Sequence, residues 1–197
     1  MILPFRPIRD ADPVYAATVL AAFVEHCNPE GPETLNDWWA LPIPLHQRFG
    51  MLSGAAKAYP EHAPKVLRAL QDYAVLAAES ALSVWSAAYP DDLTLHIGLD
   101  AARAHLEAPT RDGRAKVRRL SRAVLGVTEH AEGAAKDAGL ATYHALMAAS
   151  PADDEALWMT VRSMTVAHEC AKDAGADLTT AAARLDALVA DLNGAIP

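Results

Sequence analysis

Alanine fills 43 of the 197 positions and glycine only 10. Alanine loses no side-chain entropy on joining a helix, while glycine loses the most backbone entropy, so the chain is biased towards helix wherever proline permits. Proline and capping residues therefore set the cuts. Asp12-Pro13 combines a side-chain cap with a φ already suited to the first helical position. Tyr15, Val19, Phe23 and Cys27 then step by four, with Val14, Leu20 and Val24 widening the stripe, until Asn28-Pro29 and Gly31-Pro32 end the helix.

Similar reasoning places further helices along the chain. One spans 45–58, ahead of Pro60. A long one spans 62–88, with Pro64 in its first turn and Val66, Leu70, Tyr73, Leu76, Leu82 and Trp85 as apolar anchors. Leu93, Leu95, Ile97 and Leu99 alternate as a strand would, yet also pair at i,i+4 as Leu93/Ile97 and Leu95/Leu99, and the helical AARAHLEA that follows favours helix. A helix from 114 towards 139 has Gly126 and Gly133 as candidate interruptions. Ser150-Pro151-Ala152-Asp153 opens another that stops near Gly175, and Thr179 opens the last. Lys-Asp-Ala-Gly occurs at 136–139 and again at 172–175; two helix C-termini of similar composition account for the pair without a repeat. The expected architecture is all-α, a helical bundle of about six to eight helices. The length suits a single helical domain over 1–197, with 109–113 as the boundary that would separate subdomains 1–108 and 114–197.

Composition narrows the function classes. With 52% hydrophobic residues the chain can build a core, and a formal charge of −8 argues against non-specific nucleic-acid binding by the whole protein. No window reaches the ~18 uninterrupted apolar residues of a membrane span, and the Pro-rich first ten residues lack the apolar stretch of a signal peptide. A cytoplasmic setting is the expectation, with Cys27 and Cys170 as core fillers rather than a disulfide. Twelve arginines against five lysines, together with the alanine excess, suggest a GC-rich bacterial genome.

Catalytic motifs are sparse. There is no Gly-x-Ser-x-Gly elbow, phosphate-binding glycine loop or Cys-x-x-Cys pair, and no cofactor is implied. Histidine and glutamate are neighbours at Glu25-His26, Glu61-His62, Glu129-His130 and His168-Glu169, but adjacent helical residues point about 100° apart. Helical metal sites favour Glu-x-x-His on one face, which this chain lacks. Glu129, His130, Glu132, His168 and Glu169 nevertheless fall on two successive helices, which leaves a metal-dependent enzyme as the alternative reading. Asp91-Asp92 and Asp153-Asp154-Glu155 follow prolines at helix starts, where carboxylates complement the helix dipole.

Two local features stand out. Between 111 and 122 the chain carries Arg111, Arg114, Lys116, Arg118, Arg119 and Arg122 against Asp112, a net +5 that leaves −13 elsewhere. Arg114, Arg118 and Arg122 share one helical face near a helix N-terminus, where the dipole disfavours cations. Internal acidic partners, plain solvation or an acidic partner protein would each answer them. Nucleic acid ranks behind a protein, because no aromatic residues interleave the run. The other feature is Trp38-Trp39 ahead of Pro42, Pro44 and His46. Two adjacent tryptophans do not easily enter one core, so one is expected to fill it while the other covers a subdomain joint or meets a partner.

Asp12-Pro13-Val14-Tyr15, the apolar helix through Leu20 and Phe23, and Leu41-Pro42-Ile43-Pro44-Leu45-His46 resemble the middle component of prokaryotic three-component ABC systems, over about residues 11–50. The second half, from Leu99-Asp100-Ala101-Ala102-Arg103 through the arginine run, is similar in texture to small helical immunity proteins of bacterial toxin systems. Both resemblances imply a non-catalytic interaction component of a bacterial conflict or defence system and supply no catalytic residues. The expected function is thus protein binding by occlusion or scaffolding, through Arg114, Arg118 and Arg122, through Trp38, Trp39 and His46, or through both.

Overall fold

The structure is a computed structural model that describes residues 39–40, 45–151 and 156–193. Among these residues every regular element is helical and there is no strand, as the alanine excess requires. The elements are α1 (Leu45–Ala58), a 3-10 turn (Pro60–His62), α2 (Ala63–Ser80), α3 (Leu82–Ala88), α4 (Thr94–Glu107), α5 (Arg111–Thr128), α6 (Gly133–Ala149), α7 (Ala156–Asp173) and α8 (Thr179–Asn193). The architecture is an all-α bundle. The helix expected over 14–27 lies outside the described residues.

The chain divides into two compact units, 1–66 with 185–197, and 67–184. The boundaries fall inside α2 and inside α8. In the first unit Phe49, Leu52 and Ala56 of α1, and Leu185, Leu188, Val189 and Leu192 of α8, are buried at helical spacing.

The second unit is built around α6. This helix packs against α3, α4, α5 and α7, and from Ala138 to Ala149 none of its residues is exposed. Its buried positions, Ala135, Ala138, Gly139, Ala141, Thr142, Ala145, Leu146, Ala148 and Ala149, are nearly all small. Small side chains let several neighbours approach one rod closely, and that is how alanine enrichment becomes tertiary structure here. The tightest approach is at Gly139. A Cβ there would stand 2.3 Å from Thr128 Oγ1 and 2.8 Å from its Cγ2. Thr128 is itself fixed, donating to Val124 O at 2.7 Å.

Several boundaries differ from the sequence reading. The helix expected over 62–88 is two helices that meet at Ala81. There Ser80 Oγ donates to Leu76 O at 2.9 Å, and the Ala81 and Val84 amides close i−3 turns onto Ala78 and Ala81. Side-chain back-bonding of this kind competes with the regular helical ladder. The helix expected to end at Gly139 instead breaks over 129–132 and restarts at Gly133, whose φ is +55°. Gly126 interrupts nothing. The two Lys-Asp-Ala-Gly segments consequently have different roles. Residues 136–139 lie inside α6, whereas 172–175 close α7: Gly175 has φ +84°, its N–H donates to Lys172 O at 2.8 Å, and the Ala176 N–H donates to Ala171 O at 3.0 Å. That pair of bonds is a Schellman closure.

The alternating stretch forms helix from Thr94, with Leu93 as its N-cap residue, and Leu95 and Leu99 are the members that enter the core. Asp92 acts at this start as expected of a carboxylate there, its Oδ1 accepting the Thr94 N–H at 2.8 Å.

Two predictions follow from this packing. Gly139→Ala should destabilise the protein by about 1–3 kcal/mol, the usual cost of overpacking. Adding Thr128→Ala, which removes the two closest atoms, should recover part of the loss in urea unfolding; an unchanged midpoint for the single variant would contradict the contact. The second concerns pH. Burial, then the charge of Arg114, lowers the pKa of His105; burial, then Arg162, lowers that of His144. Unfolded imidazoles take up protons near about pH 6.5, before the folded ones do, so this stabilisation is complete above about 6.5 and is lost as pH falls. The drop in unfolding midpoint between about pH 7.5 and about pH 5.5 should shrink in His105→Gln/His144→Gln. An equal drop would remove these two groups as its source.

Candidate functional site

The basic run forms α5. Thr110 caps it, Oγ1 accepting the Gly113 N–H at 2.9 Å, and Asp112 supplies a carboxylate in the first turn. Val117, Ser121, Val124 and Thr128 form a narrow buried stripe. Only one side of α5 is therefore committed to the core, and the cations distribute around the remainder.

Arg114, Arg118 and Arg122 do not act alike. Arg114 is partly buried close enough to His105 to disfavour its protonated form. Arg118 reaches across to the end of α6, its Nε donating to Ser150 O at 3.1 Å and its Nη2 to Pro151 O at 2.9 Å. Carbonyls at a helix C-terminus lack intrahelical donors and carry partial negative charge, so this guanidinium acts as an internal cap. Arg122 is exposed. With Lys116 and Arg119 it forms an outward stripe at steps of three, opposite Val117. Ala115, Ala123 and Gly126, exposed on the same side of α5, are all small. Among the described residues no carboxylate forms an ion pair with Arg111, Lys116, Arg119 or Arg122. Sequence spacing predicts a 114/118/122 face; the position of α6 makes the outward one 116/119/122.

Trp39 belongs to the first unit and is turned inward. It is 7% exposed, its indole N–H donates to Asp186 Oδ1 at 2.7 Å, and the Arg48 guanidinium lies 5.7 Å from its ring centroid. Its polar edge is satisfied internally, and the side chain forms no protruding anchor. Trp38 lies outside the described residues. His46 falls within α1, and its side chain is likewise outside them.

The metal reading needs correction. Glu129 and His130 are exposed just after α5, Glu132 is exposed at the N-cap of α6, and His168 and Glu169 sit in α7. Among the described residues no group of three or more His, Cys, Asp or Glu side chains could hold a metal ion. The reason is local. His168 is buried with Nδ1 2.6 Å from the Tyr73 hydroxyl, and its Nε2 lies 3.8 Å from Glu169 Oε1. Tyr73, an apolar anchor by sequence pattern, brings its hydroxyl to that histidine, a pairing no local motif could reveal. Its pKa is raised by burial and then by Glu169, so the phenol stays neutral. The Cys170 thiol is pushed up to about 11, by burial first and then by Asp137, Asp173 and Glu169, which makes it a poor nucleophile at neutral pH.

Comparison with known proteins returns no match, whether to a family model, a curated protein or a solved structure. No helix of the described residues is long and apolar enough to cross a membrane.

Arg118→Ala should lower stability by about 1 kcal/mol, because two carbonyl acceptors at the end of α6 lose a charged donor. Urea unfolding checks this; a midpoint equal to wild type would place the arginine outside the cap.

Proposed function

We propose that this protein is a non-catalytic protein-binding component that acts by occlusion or scaffolding, with the outer face of α5 as its contact surface. One observation carries the reading: Lys116, Arg119 and Arg122 project from a helix anchored on its opposite side, and no carboxylate among the described residues forms an ion pair with them. The rest of the chain is strongly acidic, so an isolated basic stripe distinguishes this face from its surroundings. The matching partner is a protein with an acidic surface, for which such a stripe raises the encounter rate and fixes the register. A bacterial conflict or defence system, the setting both resemblances imply, is where that partner is to be sought.

Co-purification from the native host, with nuclease treatment to remove bridging nucleic acid, supplies the partner for the test. Arg119→Glu/Arg122→Glu should weaken the complex by about tenfold or more and flatten its salt dependence. The thermal unfolding midpoint should stay near that of wild type, because neither side chain is buried. Unchanged affinity at low and high salt would remove α5 as the contact face.

A further inference from the structure

The apolar alternation at 93–99 leaves two side chains unaccounted for. As helix, α4 sends Leu95 and Leu99 into the core, which puts their partners outside: Leu93 is 58% exposed and Ile97 is 51% exposed. They border an open groove of about 610 Å³, lined also by Tyr89, Pro90, Asp91 and Thr94.

The groove is held in shape by its own turn. The Trp85 indole, buried beneath, stacks obliquely on Tyr89 with ring centroids 4.6 Å apart and donates to Asp92 O at 3.3 Å. Tyr89 N–H donates to Trp85 O at 2.8 Å, Asp92 N–H to Tyr89 O at 3.1 Å, and Asp92 Oδ1 accepts from Thr94 N–H. Ser86 Oγ lies 3.0 Å from His96 Nε2, tying α3 to α4 beside the turn. A surface fixed in this way loses little conformational entropy when something docks on it.

From this end a stripe continues along α4. Leu93, Ile97, Asp100, Ala104 and Glu107 follow at steps of four and three, and all are exposed. Asp91 is exposed at the mouth of the groove. Arg103, a cation on the same helix, forms a two-pronged pair with Glu79 and also lies close enough to Asp100 and Glu107 to feel their charge. The face is thus apolar at its start, with Asp91 at the groove mouth and Asp100 and Glu107 further along, three carboxylates against Arg103, whose guanidinium is drawn aside to Glu79.

We infer that the outer face of α4, with the groove at its start, docks a basic amphipathic helix of a partner protein, aliphatic side chains seating on Leu93 and Ile97 and Lys or Arg meeting Asp91, Asp100 and Glu107. Charge complementarity selects this occupant, since an acidic segment would meet the carboxylates of Asp91, Asp100 and Glu107. The inference concerns a different helix face and the opposite charge from the surface on α5, and does not depend on it.

The probe is a synthetic amphipathic peptide of about 18 residues, long enough for about five helical turns, with leucine on one face and lysine along its flanks. Its binding is followed by fluorescence anisotropy and by backbone amide NMR shifts. Expected are saturable binding, shifts centred on 89–107, and affinity losses of about tenfold each in Leu93→Ser/Ile97→Ser and in Asp91→Asn/Asp100→Asn/Glu107→Gln. The second variant leaves Asp92, the capping carboxylate, in place, and its unfolding midpoint should match wild type. The inference is overturned if both variants bind as wild type does, or if a peptide with glutamate for lysine binds equally well. It is also overturned if sedimentation without peptide shows self-association that Leu93→Ser/Ile97→Ser abolishes, because the face would then belong to a second copy of the chain.

Discussion

The contact on which the second unit depends is the approach of α5 to α6 at Gly139. Thr128 occupies the volume that any larger residue's Cβ would need, and its hydroxyl is held by the carbonyl of Val124. Because α6 is lined by alanine and glycine, α3, α4, α5 and α7 can all lie on it. Close backbone and methyl contacts along α6 add dispersion to the apolar burial supplied by Trp85, Tyr73, Leu95, Leu99 and Met164. Such packing tolerates little added volume, since the neighbours of a buried rod have nowhere to relax.

The way α5 meets that rod also arranges the charge. One narrow stripe suffices to seat it, so its cations are free to divide between roles. Arg118 closes the end of α6, Arg114 lies near His105, and Lys116, Arg119 and Arg122 face outwards. Beside it, α4 carries exposed Asp100 and Glu107 on its outer side, while Arg103 is drawn to Glu79. Two helices that follow one another in the chain, and pack together, therefore display opposite signs.

Much of this is legible in the amino-acid sequence. Alanine content and proline positions predict an all-α chain, and the starts of the helices at Leu45, Ala63, Thr94 and Thr179 fall close to their sequence signals. Harder to read were the interruptions. The turn at Ala81 arises where a serine hydroxyl bonds a helical carbonyl, and the break before Gly133 competes with an equally plausible one at Gly126. The candidate face was legible as a basic run but not as a particular stripe. Which of six neighbouring cations points outwards depends on where α6 lies.

What the sequence determined by itself is local: helix propensity, caps, stops, and the placing of a +5 segment in an acidic chain. Tertiary structure decided the roles of identical words. Lys-Asp-Ala-Gly continues a helix at 136–139 and closes one at 172–175, and Leu93/Ile97 differ from Leu95/Leu99 only in which side of α4 meets the core. The physical reason is that backbone preferences extend over a few residues, whereas burial is settled by helices distant in sequence competing for the same volume.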